Sequence, residues 1–238
     1  MRYESGIGAL LSQTEEAPRR LLVVRITHWV AVASIFALLA SGIGILISHP
    51  RLYWGETGNI AMPSLIDLPI PFIIGPSIWN RPIHFLSAWI LVFAGLAYVV
   101  GGLVTGHFRK ELVPTTAELR WNRIVGVIAD HLRWKRASAN EAWTYNVLQR
   151  LTYLVVVFAL FPAIIWTGLA MSFAVTSAFP ILATALGGHQ SARTLHFVFV
   201  SLLVLFLVVH LVMLCLVGFW GHVRAMITGH IPQGRSAQ

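Results

Sequence analysis

The chain has 238 residues, 57% of them hydrophobic and only 11% charged, a balance outside that of soluble domains and suited to a bilayer. Its formal charge of +8 has two ordinary causes, nucleic-acid binding and membrane orientation, which the placement of the charges separates. A single cysteine, Cys215, in an apolar run excludes an intrachain disulfide, a Cys-ligated iron–sulfur cluster and a C-x-x-C-H haem attachment, so any redox cofactor needs other ligands.

Residues 1–26 carry Glu15, Glu16 and Pro18 and no apolar core of signal length, so no cleaved signal peptide is expected and the first span serves for insertion. Uncharged runs follow at 27–48, 84–105, 151–173 and 194–219, each reaching the roughly 20 residues that cross a hydrocarbon core. Between the first two spans, 60–79 is apolar but holds Pro63, Pro69, Pro71 and Pro76, too many lost backbone donors for a lipid-facing helix. The whole of 49–83 is therefore expected as a loop. In the connection 106–150, Thr115-x-x-Glu118 and Ser138-x-x-Glu141 fit capping boxes. The helix after the first, with Trp121, Ile124, Val125, Ile128 and Leu132 among basic residues, suits either an anionic membrane surface or a solvated linker. Residues 174–188, broken by Pro180, predict a short re-entrant or surface helix, with five spans as the alternative. The expected fold is an all-α integral-membrane four-helix bundle over 27–220, followed by a tail at 221–238.

All Lys and Arg except Arg51, Arg81 and Arg193 fall before the first span, in 106–150, or after the fourth. Positive charge is retained in the cytoplasm, so both termini and the middle connection are expected there, with 49–83 and 174–193 outside. Topology thus accounts for the basic charge, and nucleic-acid binding is not needed.

Of ten histidines, four lie in the spans, where a group that titrates near neutral pH is costly unless paired, liganded or facing a cavity. His196 and His210 are 14 residues apart, which returns them to nearly one face after about 21 Å of rise. His28 opens the first span at the inner edge and His84 opens the second at the outer edge. Depth then pairs His84 with His196 on the outer side and His28 with His210 on the inner. Two imidazoles facing across a helix gap suit axial ligation of haem iron, giving a di-haem cytochrome b with two haem b. Zinc normally takes four ligands, and the spans hold no carboxylate or second thiol.

Arg25-x-x-His28, Arg81-x-x-His84 and Arg193-x-x-His196 each set an arginine one turn outside a histidine on the same face. A guanidinium there could pair with a haem propionate or, alternatively, with lipid phosphate. Ser41, Gly42 and Gly44 in the first span, and Gly95, Gly101, Gly102 and Gly106 near the second, let either helices or a porphyrin edge approach, and Gly102-x-x-x-Gly106 fits a helix-packing motif. Pro162 and Gly168 predict a kink in the third span.

Arg25-Ile-Thr-His28-Trp29, Arg81-Pro-Ile-His84 with Trp89, and Arg193-Thr-Leu-His196 with His210 resemble the bacterial cytochrome b561 and nickel–iron hydrogenase cytochrome b family, over about residues 21–222. Tyr145-Asn146, Gln149 to Tyr153 and Gly187 to Arg193 are most similar to its thiosulfate-reductase branch, which lies beside the formate dehydrogenase gamma subunits. The resemblance implies an inner-membrane electron carrier between the quinone pool and an extracytoplasmic redox subunit, first a molybdenum-cofactor protein and next a hydrogenase or formate dehydrogenase module. The long proline-rich first loop departs from the family pattern. His107, Asn146, Gln149 and Arg150 at the cytoplasmic edge are candidates for a quinone site, against the alternative of ordinary interfacial polarity. Rival readings are a stand-alone quinol oxidase passing electrons to a soluble acceptor such as superoxide, a haem-free anchor, and a proton-conducting transporter, which would want carboxylates the spans lack.

Overall fold

A computed structural model describes residues 21–59, 61–70, 78–114 and 147–230. In chain order the elements are α1 (Leu22–Ser48), β1 (Arg51–Leu52), β2 (Ile66–Asp67), α2 (Asn80–Val104), α3 (Val147–Ala170), α4 (Phe173–Ala178), α5 (Ile181–Thr184) and α6 (His189–Thr228). Four of them, α1, α2, α3 and α6, are long and apolar enough to cross a membrane. The two capping boxes of the middle connection lie outside the described residues.

The bundle is built inside out relative to a water-soluble one. On α1 the buried residues are Thr27, Ser34 and Ser41, seven apart, and on α2 they are Ser87, Ala94 and Gly102. Phe36, Trp89, Phe93, Leu205 and Leu211 are exposed instead. Lipid tails solvate leucine as well as a protein core does, so close packing of small residues decides which face turns inward. The buried hydroxyls are satisfied within their own helices: Thr27 Oγ1 donates to Val23 O at 2.7 Å, Ser41 Oγ to Ala37 O at 2.7 Å and Thr167 Oγ1 to Ala163 O at 2.8 Å.

Every spanning helix begins four or five residues before the uncharged run that announced it, and each early start takes in one arginine: Arg25, Arg81, Arg150 and Arg193. A long cationic side chain reaches the interface from the first turn, so the helix tolerates a charge that a hydropathy run cannot contain. At the other end α6 continues to Thr228. Its 40 residues would rise about 60 Å, twice a hydrocarbon core. Gly218, at φ 121° and ψ 84°, breaks it into a long spanning part and a terminal segment that takes in the first residues of the expected tail. In α3 a π-turn at Val156–Leu160 stands immediately before Pro162 and accommodates the missing N–H.

Packing is concentrated within two hairpins, α1 with α2 and α3 with α6. Gly101 admits the Val23 side chain and Gly44 admits the Asn80 amide, both across the α1–α2 contact. Gly102 does not serve helix packing as its motif suggested. It faces the ring of Phe108, in the π-turn Phe108–Leu112 that follows α2, and Gly106 ends the helix with φ 68°. The hairpins are tied at their ends by two arginines. Arg25, on the first turn of α1, donates from Nε to Met226 O at 3.2 Å and from Nη2 to Ile227 O, in the last turn of α6. Arg193, near the start of α6, donates from Nη2 to His49 O at the C-terminal end of α1. Each thus meets carbonyls that the helix end leaves unpaired, at the negative end of its dipole.

Two-residue strands give the all-α architecture a short antiparallel ribbon in the first loop, pairing Arg51 with Asp67 and Leu52 with Ile66. An ion pair of 3.2 Å joins the first couple. The loop then covers the start of α6. Gly55 O accepts from Gln190 N–H at 3.0 Å and Ser191 N–H at 3.2 Å, Gly55 N–H donates to Ser191 Oγ at 2.8 Å, and Thr194 Oγ1 donates to Tyr53 O at 2.6 Å. Glu56 Oε2 accepts from His189 N–H at 3.3 Å. Gly188 offers no capping side chain, so a distant loop satisfies the orphan donors of α6. Beside it, α4 and α5 replace the single short helix expected at 174–188, separated at Pro180, and pack through Ala183 against Ala170 and Ala192.

Candidate haem-binding site

At the end of the bundle that carries the loops, His84 on the second turn of α2 faces His196 on α6, with ring centres 6.4 Å apart and planes at 64°. Each imidazole is held from behind by the other helix of its hairpin. Ser41 Oγ on α1 lies 3.1 Å from His84 Nδ1, and Thr167 Oγ1 on α3 lies 2.9 Å from His196 Nδ1. The glycines that follow those hydroxyls make room for the rings: a Cβ on Gly42 would stand 3.4 Å from His84 Cε1, and one on Gly168 3.5 Å from His196 Cε1. Gly168 therefore serves the imidazole, where the sequence suggested a kink. Ser41 was visible in the sequence only as a small residue, and Thr167 carried no signal of its own. What could have found both is the repeat of a hydroxyl residue and glycine in the first helix of each hairpin, followed by Arg-x-x-His in the second.

These residues fit an iron held between two imidazoles. A metal–nitrogen bond of about 2 Å on each side, plus about 1.1 Å from nitrogen to ring centre, separates the ring centres by roughly 6.2 Å. Among the described residues no third His, Cys, Asp or Glu joins the pair as a bare metal ion would want. Arg81 and Arg193 lie near enough at this end for their charges to repel, an arrangement that an anion beside them relieves.

The other two span histidines lie toward the end that carries the start of α1. His28, half-buried on α1, meets Trp29 edge-on at 5.6 Å. His210, half-buried on α6, stacks on Phe206 at 5.8 Å and meets Tyr153 of α3 edge-on at 6.4 Å. Arg25 on the turn before His28 is engaged by the α6 carbonyls. His107 packs edge-on to Tyr98 at 6.2 Å just before the π-turn, and that turn packs against the first part of α3, where Gln149 and Arg150 are half-buried. Asn146 lies outside the described residues.

Four membrane-spanning helices and an imidazole pair opposed across the bundle define a membrane b-type cytochrome. The chain belongs to the prokaryotic cytochrome b561 family, whose sequence profile matches residues 19–229. The family binds haem b. Over 212 residues, covering 87% of this chain and 94% of the relative, it is 31% identical to a protein of Azospira oryzae (strain ATCC BAA-33 / DSM 13638 / PS) that carries the provisional name protein-methionine-sulfoxide reductase subunit YedZ1. No solved structure gave a significant match.

Proposed function

We propose that this chain is a di-haem electron carrier of a bacterial inner membrane that takes electrons from the quinone pool and delivers them to an extracytoplasmic reductase. The observation that carries the reading is the opposition of His84 and His196 at the spacing two axial ligands require. His84 and His196 would hold the outer haem, and His28 and His210 the inner one. When bound, the haems supply one-electron exchange. The chain's own residues set the ligation, the spacing and the polarity around them. Arg81 and Arg193 stand where propionates reach the outer surface, and Arg25 stands at the inner surface. The distribution of Lys and Arg supports cytoplasmic termini, so the loop end is extracytoplasmic.

The first loop and the α4–α5 segment together cover the outer end and are the natural seat of the partner. The provisional name of the Azospira oryzae relative supports a reductase there and hence outward electron flow. A molybdenum-cofactor subunit follows from the family resemblance. His107, Gln149 and Arg150, with Asn146, are the residues proposed for quinone exchange at the inner edge.

The purified chain should show a b-type reduced-minus-oxidised spectrum and two haems per chain by the pyridine haemochrome assay. His84→Ala or His196→Ala should remove only the outer haem, and His28→Ala or His210→Ala only the inner. Absence of b-type haem would overturn the reading, and loss of both haems from any one replacement would overturn the pairing. Quinol-dependent reduction that survives both Asn146→Leu and Gln149→Leu would remove the quinone assignment.

A further inference from the structure

The hydroxyls behind His84 and His196 have a single proton each, and its place is fixed. Ser41 Oγ lies 2.7 Å from Ala37 O and 3.2 Å from Leu38 O, and Thr167 Oγ1 lies 2.8 Å from Ala163 O and 3.0 Å from Ile164 O. Carbonyl oxygens only accept, so each hydroxyl donates to its own helix and must accept at its other contact. The Nδ1 of each histidine is therefore the donor. Ser41 is 4% exposed and Thr167 1%, so no water competes for the contact.

We infer that Ser41 and Thr167 are positioning residues for the outer haem: each holds its imidazole as the Nδ1–H tautomer, leaves Nε2 unprotonated for the iron, and strengthens it as a ligand. This rests on the haem reading of His84 and His196. The arrangement is repeated in the two hairpins, carbonyl to hydroxyl to imidazole, with a glycine after each hydroxyl making room for the ring. A ligand imidazole that donates its other N–H is oriented by the acceptor and becomes more basic, which favours the ferric state. The Leu38 and Ile164 carbonyls also hydrogen-bond these rings, so removing the hydroxyl weakens the acceptor without abolishing it and should shift the outer haem towards the ferrous state.

The test uses the full-length, haem-loaded chain, with redox titrations that resolve the two haems and low-temperature EPR of the ferric state. Ser41→Ala and the shape-conserving Thr167→Val should each shift the outer haem's reduction equilibrium about threefold to tenfold towards ferrous, tenfold being about 59 mV for one electron. The inner haem should stay within twofold. The largest ferric g value of the outer haem should move, because a freed ring changes the angle between the ligand planes. Ser41→Thr and Thr167→Ser retain a hydroxyl and should restore both signals. Unmoved potentials in Ser41→Ala and Thr167→Val would overturn the inference, as would shifts in the hydroxyl-retaining variants as large as in the others. Where Ser41→Ala or Thr167→Val loses the outer haem, retention in its hydroxyl-bearing counterpart supports the inference and loss there overturns it. Absence of b-type haem in the unmodified chain is a different failure and would overturn the haem reading itself.

Discussion

Replacing Gly188 with alanine tests the lock between the first loop and α6. Gly188 adopts φ 112° and ψ 175°, a region open essentially to glycine alone, and another residue there costs about 1–3 kcal/mol. Its Cβ would also stand 2.6 Å from Gly55 O and 2.7 Å from Gly55 C, backbone atoms that cannot swing aside. The loop must retreat. That retreat breaks the bonds of Gly55 O to Gln190 and Ser191 and of Gly55 N–H to Ser191 Oγ, each contributing about 1 kcal/mol. The sum, roughly 4–6 kcal/mol, corresponds to a fall on the order of 10 °C in the melting temperature for a chain of this size. Thermal scans of the detergent-solubilised chain, followed through its visible spectrum, measure it, and trypsin cleavage at Arg51 reports the released loop. Gly187→Ala is the control. Gly187 also has positive φ, 83°, but the nearest atom to its Cβ would be Ser191 Oγ at 3.3 Å, the end of a side chain, so conformational cost dominates. A Gly188→Ala chain that melts no lower than Gly187→Ala would refute the close-approach argument.

Gly44→Ala should destabilise the α1–α2 contact by about 1–2 kcal/mol because the methyl overlaps the Asn80 amide, and Asn80→Ala should cancel most of that cost in a double-mutant cycle read by thermal melting. Gly218→Ala should cost about 1–3 kcal/mol from φ 121° alone, since its Cβ meets nothing within 4 Å. The same melt should then show no further loss when Gly218 becomes leucine.

Much of the fold was legible because the bilayer imposes coarse rules. The four spans follow from uncharged length, and the placing of His84 opposite His196 follows from helix direction and rise. The early helix starts were hidden because Arg25, Arg81, Arg150 and Arg193 end an uncharged run while remaining good first-turn residues. The cover over α6 left no trace for a different reason. It is made largely by Gly55 and Tyr53 carbonyls, and a backbone group has no sequence signature. Ser41 and Thr167 were obscured by separation: they meet histidines 43 and 29 residues further on, across a turn whose geometry periodicity does not give. Pro162 announced a disturbance but not its form, because a kink and a π-turn both relieve the missing donor.

The Arg-x-x-His repeat reads as one motif in sequence, yet its three arginines stand in different places. Arg25 and Arg193 close the C-terminal ends of α6 and α1 reciprocally, which ties the hairpins at both ends. Arg81 is exposed and close to Arg193. Glutamine substitutions should therefore separate mechanical from electrostatic roles. Arg25→Gln should lower thermal stability by about 1–3 kcal/mol, because hydrogen bonds from a charged donor are the stronger ones. Arg81→Gln should leave the melt within about 0.5 kcal/mol and lower the potential of the haem proposed between His84 and His196, since a cation beside it favours the added electron. Arg193→Gln should do both. Redox titration and thermal melting of the three variants measure the two quantities separately. An Arg81→Gln chain with an unmoved outer potential, or an Arg25→Gln chain with an unmoved melt, would show that the repeat does not divide its work in this way.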